Sequence, residues 1–145
     1  MNFLILKENV HSLLENDIKN YTFYKNNQIK YNQIINEFKF NFSEIYIFLE
    51  FELFTSKHNS HPILTLINIH ISLLFDYIKY NHDVNIIYKK ISCIYELFNI
   101  YFLLINKNNI DIYQLSINFY INFLRLSYIL TQNNFYHKKI IDNYI

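Results

Sequence analysis

Residues 116–130 read SINFYINFLRLSYIL. Apolar side chains occupy most sides of this stretch, yet polar ones recur through it at a steady spacing. Followed back to its start, the polar positions are Asp111, Gln114, Asn118, Asn122 and Arg125, with gaps of 3, 4, 4 and 3 residues. That is the spacing of one face of an α-helix. A helix with so thin a polar stripe either spans a membrane or lies in the middle of a bundle. A span needs about 18–20 predominantly apolar residues with few or no charges, and the uncharged runs fall short. Residues 112–124 stop at Arg125, residues 97–106 lie between Glu96 and Lys107, and residues 62–75 contain Asn68 and His70. No membrane span is expected, and the stretch is read as the buried centre of a soluble bundle.

Two preceding segments repeat the pattern. One carries Asn85, Lys89, Ser92, Glu96, Asn99 and Asn106. The other carries His61, Thr65, Asn68, Ser72, Asp76 and Lys79. Each of the three helices is expected to keep a narrow polar face for water. The first 57 residues differ, because they hold 13 of the 25 charged residues. Leu6, Val10, Leu13, Leu14, Ile18 and Tyr21 form one apolar stripe, and Tyr31, Ile34, Ile35 and Phe38 form a second. Ser43 can cap a further helix, since its hydroxyl can accept a free N–H of the first turn. Residues 50–53 alternate like a strand, but no partner strand is evident, so 44–54 is expected to be helical. Asp83 is the expected N-cap of the next-to-last long helix. Asn residues are expected to supply the left-handed conformation that ends helices, in a chain without Gly. The reading is all-α: a single domain over residues 1–145, a bundle of about seven helices with a central apolar hairpin. The helices fall near 8–25, 29–40, 43–56, 62–80, 84–105, 110–131 and 134–144. The hairpin, 84–105 and 110–131, is expected to bury Ile94, Leu97, Tyr101, Ile117, Phe119 and Leu124.

Composition narrows the function. The hydrophobic fraction of 52% excludes a disordered chain. The net charge of +1, with a single Arg, argues against nucleic acid as a partner. Gly, Ala and Trp are absent and there is one Pro. Gly, Ala, Pro and Arg are largely written in GC-rich codons, which points to a very AT-rich genome. Cys93 is alone, so there is no disulfide framework. The four apolar residues that open the chain after Asn2 are too few for a signal-peptide core. A reducing intracellular compartment is expected, and the sequons at Asn20 and Asn41 are read as accidental.

No catalytic constellation is evident. His58 and His61 are three apart, but a metal site needs three or four ligands in reach, and none join them. They are read as loop histidines, and His70 as a core residue. Cys93 is read as a small core residue rather than a nucleophile. Glu50 and Glu52 would point apart on a helix. Arg125 and Glu96 are read as surface groups, and Lys138 and Lys139 as solvating the last helix. Without Gly no phosphate-cradling loop forms in the usual way. No metal, no cofactor and no enzymatic activity are expected, and a protein-binding role is favoured.

Seven helices in this length, with an apolar central hairpin, resemble a Bcl-2-like fold. The chain is most similar to the poxvirus Bcl-2-like family of intracellular immune inhibitors. Residues 9–18, Asn-Val-His-Ser-Leu-Leu-Glu-Asn-Asp-Ile, resemble the family's first helix. Residues 31–38, 91–97 and 116–124 resemble its second, fifth and sixth. Residues 55–82 depart from the pattern, Ile105 and Asn106 stand where members often carry Trp-Gly, and Glu96 stands where a small residue is usual. The Asn-Trp-Gly-Arg signature of death-regulating members and a C-terminal anchor are absent. The resemblance therefore implies the branch that binds host adaptors or kinases in the host cytoplasm and blocks signalling towards NF-κB or interferon genes. It also implies a homodimer through the first and sixth helices, with Gln114, Asn118, Asn122 and Arg125 lining or flanking the interaction face. One alternative is an apoptosis inhibitor holding a pro-death helix in a groove. Another is a structural subunit of an organellar or membrane-edge complex.

Overall fold

A computed structural model of the protein describes residues 7–144. Those residues form six α-helices and no strand: α1 (Lys7–Asn26), α2 (Gln28–Thr55), α3 (His61–Tyr80), α4 (Val84–Leu104), α5 (Ile110–Thr131) and α6 (Phe135–Tyr144). The expected contribution of Leu6 to the first stripe, and the apolar residues that open the chain, lie outside the described residues.

The expected break at residues 41–43 does not occur, and the second and third expected helices are one. The inward row explains why. Phe38, Phe42, Ile45, Leu49 and Leu53 are all buried on one face of α2, and their spacing keeps helical phase across the supposed boundary. Neither Gly nor Pro interrupts the helix there. Ser43 does not cap anything; its hydroxyl donates to the Lys39 carbonyl one turn back, at 3.0 Å, as an in-helix serine does. The alternation at residues 50–53 is also resolved: Leu53 is buried while Phe51 and Glu52 face out.

Helix starts follow side-chain chemistry. Asn27, Asp83 and Asn109 each accept a backbone N–H of the turn they open, from Lys30, Asn85 and Ile112 respectively. Helix ends do not follow the expectation for Asn. Among the described residues the two left-handed ones are Lys57 and Gln132, while Asn81, after α3, is extended. Asparagine here works at N-termini, where its carbonyl accepts.

One core cluster draws side chains from all six helices. Its centre is α5, which packs against α1, α2, α4 and α6. From Asn118 to Leu130 every residue except Arg125 is buried. The hairpin partner α4 is buried along one face only, at Ile87, Ile91, Ile94, Phe98 and Tyr101. Ile94, Tyr101, Phe119 and Leu124 are at 0% exposure. Leu97 and Ile117 are half-buried and pack against that core.

α3 closes the other side, pairing with α4 and α2. It is the one helix among the described residues that is long and apolar enough, by length and composition, to cross a membrane, and 33% of that stretch is buried.

Leu124→Ala should lower the unfolding free energy by about 2–5 kcal/mol, and half-buried Leu97→Ala by less. Ser43→Ala should change it by under about 0.5 kcal/mol, whereas loss of a true N-cap costs about 1 kcal/mol. Urea unfolding of the three variants measures all of this.

Candidate functional site

The polar stripe of α5 is turned inward. Asp111 and Gln114, near its start, are exposed, but Asn118 and Asn122 are buried at 3% and 5% exposure. Arg125 is not the surface group expected. Its Nε donates to Asp17 Oδ2 at 2.9 Å and its Nη2 to Asp17 Oδ1 at 3.1 Å. The side chains are 12% and 6% exposed, so this two-pronged ion pair is made largely away from water. The guanidinium also lies over the Phe38 ring, 5.0 Å from its centroid, a cation–π contact. One arginine thus ties α5 to α1 through charge and to α2 through a ring.

His137 completes the cluster from α6. Its side chain is buried, and its Nε2 lies 3.8 Å from Asp17 Oδ2. Neither ring nitrogen has a hydrogen-bond partner among the described residues. The ring instead lies tilted against Tyr128, with centroids 3.7 Å apart and the planes at 31°. Beside the ion pair, a cleft of about 170 Å³ is lined by residues including Leu13, Asp17, Ile34, Phe38 and Arg125. The arrangement can lock three helices to α5. Both prongs of the guanidinium are taken by Asp17, and Asp17 and Glu37 are the carboxylates in the lining of the cleft.

The remaining candidates are scattered. His58 Nδ1 accepts the Ser60 backbone N–H at 3.0 Å and lies 2.7 Å from the Ser60 hydroxyl, which shapes the loop before α3. His61 opens α3, 3.3 Å from Glu50 on α2 and in ring contact with Phe54. His70 is half-buried. Cys93 is exposed on α4, not a core residue. Asn85, Lys89, Ser92, Glu96 and Asn99 do form the outer face of α4. Among the described residues no three His, Cys, Asp or Glu gather as a metal site. Lys138 is exposed and Lys139 half-exposed on α6.

Two features escaped sequence reasoning. Asp17 lies between Asn16 and Ile18 on a helix read as amphipathic, with nothing local to mark it as buried. Its partner is 108 residues away in the chain. The second is the tyrosine cluster where α6 covers α4 and α5. Tyr120 meets Phe98, Phe102, Tyr95 and Tyr144 at centroid distances of 4.9–6.4 Å. Burial, with Tyr88 and Tyr95 adding to it, pushes Tyr136 up to about 12. Burial, with Tyr113 and Tyr95, does the same to Tyr144. On the other side of the molecule burial and Tyr21 raise Tyr31 to about 12. Tyr101, raised by burial, lies 2.7 Å from the Ser116 hydroxyl. Ser116 gives its own proton to the Ile112 carbonyl, so Tyr101 is the donor to it.

No known family model, curated protein or solved structure matches this chain.

Arg125→Met leaves the Asp17 carboxylate buried without its partner, and should destabilise the fold by about 3–5 kcal/mol. Combining it with Asp17→Leu should recover most of that loss in urea unfolding. The raised tyrosines set an alkaline limit. An unfolded tyrosine releases its proton near its ordinary value of 10.0, while folded Tyr31, Tyr136 and Tyr144 hold theirs to about 12. Stability should therefore be complete below pH 10 and fall as pH rises towards 12, because there the unfolded chain binds fewer protons than the folded one. Melting temperature against pH, with phenolate absorbance alongside, tests it.

Proposed function

We propose that the protein acts by binding other proteins and not by catalysis. Its targets are host signalling proteins on the routes to NF-κB or interferon genes, and its place of action is the host cytoplasm, as a virus-encoded inhibitor. The observation that carries the binding role is on α3. The most apolar helix of the chain leaves Leu66, Ile69 and Leu73 at 42%, 47% and 50% exposure. Their spacing aligns them in one row along the helix. Isolated exposed apolar residues are normal, but a contiguous row on one face marks a contact site. The class of target comes from the resemblance of residues 9–18, 31–38, 91–97 and 116–124 to the poxvirus Bcl-2-like inhibitors.

The apoptosis-inhibitor alternative needs a long apolar groove for an amphipathic helix. The nearest concavity is a cleft of about 390 Å³ between α2 and α3, with Ile35, Phe75 and Ile78 among its lining. Asn32, Asn36, Lys39 and Lys79 also line it, which does not suit the apolar ridge of such a helix. The membrane-edge subunit reading is favoured by one observation, the length and apolarity of α3.

Expression in host cells should lower NF-κB or interferon reporter output after receptor stimulation, without protecting against intrinsic apoptosis. Ile69→Lys with Leu73→Lys, both on exposed positions, should abolish the reporter effect while leaving the helical signal in circular dichroism intact. No reporter effect from the unaltered protein, together with tight binding of pro-death peptides in a calorimeter, would move the reading to the apoptosis inhibitor. Recovery of the protein in membrane complexes, with neither effect, would move it to the structural subunit.

A further inference from the structure

α6 is ten residues long and packs chiefly on α5. A helix of that length does not persist alone in water, so its contacts must hold it. Its charges work against it. Lys138 lies in the first turn and Asp142 in the last, and the first turn holds no acid and the last no base. Each of the two sits at the end of the macrodipole that repels it.

The buried face of α6 carries a second weakness. Tyr136, His137 and Ile140 are buried, and Tyr144 continues that face one turn on. The His137 side chain is 5% exposed, and among the described residues neither ring nitrogen has a hydrogen-bond partner. A polar group buried in that way bears the cost of leaving water with nothing to offset it. Of the three helices gathered at Arg125 and Asp17, α1 is held by a two-pronged ion pair and α2 by a ring. α6 has the Tyr128 ring and a 3.8 Å approach to a carboxylate that Arg125 already occupies.

α6 covers a seat that fits a helix. It meets Tyr120 through Tyr144, with ring centroids 6.2 Å apart, and Tyr128 through His137. Leu124, fully buried, lies one turn from each tyrosine. Tyr120, Leu124 and Tyr128 thus form one row along α5.

We propose that α6 is a releasable cover, and that the row beneath it takes an amphipathic helix of another protein with an apolar residue where α6 carries His137. The cover opens at residues 132–134, the short connection that follows α5, while α1 to α5 stay folded. The incoming helix makes the contacts of α6 without the unpartnered imidazole, and so displaces it. This surface is separate from the α3 row, and the inference does not depend on the function proposed for that row. A helix on so short a tether acts at an effective concentration of about 1 mM. Removing one unpartnered buried polar group strengthens docking by about tenfold. A free helix with Leu at that place should therefore displace half of α6 at about 0.1 mM.

Two measurements on the full chain test the cover. In hydrogen–deuterium exchange at one fixed pH, α6 is expected to exchange through openings that leave α5 protected. His137→Leu, and His137→Phe, which keeps a ring against Tyr128, should each slow α6 exchange by about tenfold and leave α3 and α4 unchanged. In the second measurement, a fluorescein-labelled peptide of residues 134–144 carrying His137→Leu is titrated into the chain and followed by anisotropy. Half-saturation is expected at about 0.1 mM for the unaltered chain. It should rise about tenfold for the chain with His137→Leu, whose own cover is held more tightly. Exchange of α6 only together with α5 would overturn the proposal. So would α6 exchange that neither substitution slows, or a peptide that does not bind by ~1 mM or binds both chains equally. The reporter effect of the α3 row is read separately, so either proposal can fail alone.

Discussion

The fold depends on α5 having almost no face to give to water. A helix enclosed on all sides must satisfy its polar groups within the protein. α5 does this by four means along its length. Ser116 and Ser127 return their protons to carbonyls one turn back, at Ile112 and Phe123. Ser116 then receives Tyr101, which fixes α4 against α5. Arg125 places its charge on Asp17 and its face on Phe38. The neighbours of α5 are set by those partners: α4 by a hydroxyl, α1 by a carboxylate, α2 by a ring. Burial of Ile, Leu and Phe supplies the driving force but does not choose among similar apolar faces. The polar groups do, because an incorrect register would leave a buried charge unpaired.

Absence of Gly and Ala imposes a second constraint. Without Gly and Ala, only a few buried serines can let two helices approach closely, so most of the space between them is filled by large side chains. The core therefore runs as linked aromatic rings. Phe42 meets Phe75 and Phe119, Phe98 meets Phe119, Tyr120 and Phe123, and Tyr120 meets Tyr144. Most of these pairs are tilted or edge-on, the geometries that ring quadrupoles favour. Using Tyr where another sequence would place Leu brings hydroxyls into the core, and the raised tyrosines record that burial.

Helical class and the central position of residues 116–130 were legible in the sequence, because a period of 3.6 residues survives any composition. The N-cap at Asp83 was legible for the same local reason. Three errors share one cause. Ser43 looked like a cap, the α5 stripe looked solvated, and Cys93 looked buried. In each case the local letters were read correctly but the neighbour was unknown. Ser43 is mid-helix because the buried row of α2 keeps phase through it. Asn118, Asn122 and Arg125 are covered because other helices pack over that face. Asp17 could not be found at all, since the residue that explains it is 108 positions away. Polar residues on a helix mark either the solvent or a polar partner, and periodicity alone does not separate the two.

The exposed apolar residues raise a last question, because an AT-rich vocabulary of Ile, Phe, Leu, Tyr and Asn would scatter apolar side chains over a surface without any function. Their placement along each helix is informative. On α4 the exposed apolar residues Val84, Ile86, Ile100 and Leu103 sit at the two ends, and the middle of the outer face carries Lys89, Ser92, Cys93, Glu96 and Asn99. α2 and α3 had the same polar letters at hand, since Asn, Lys and Ser abound in the chain. Their outer rows nevertheless hold Phe40, Ile47, Phe51 and Phe54, and Leu66, Ile69 and Leu73. Composition sets which residues the chain has, but not where along a helix they face outward. Mid-helix alignment of the apolar rows on α2 and α3, against a polar middle on α4, supports the proposal that such rows are contact surfaces.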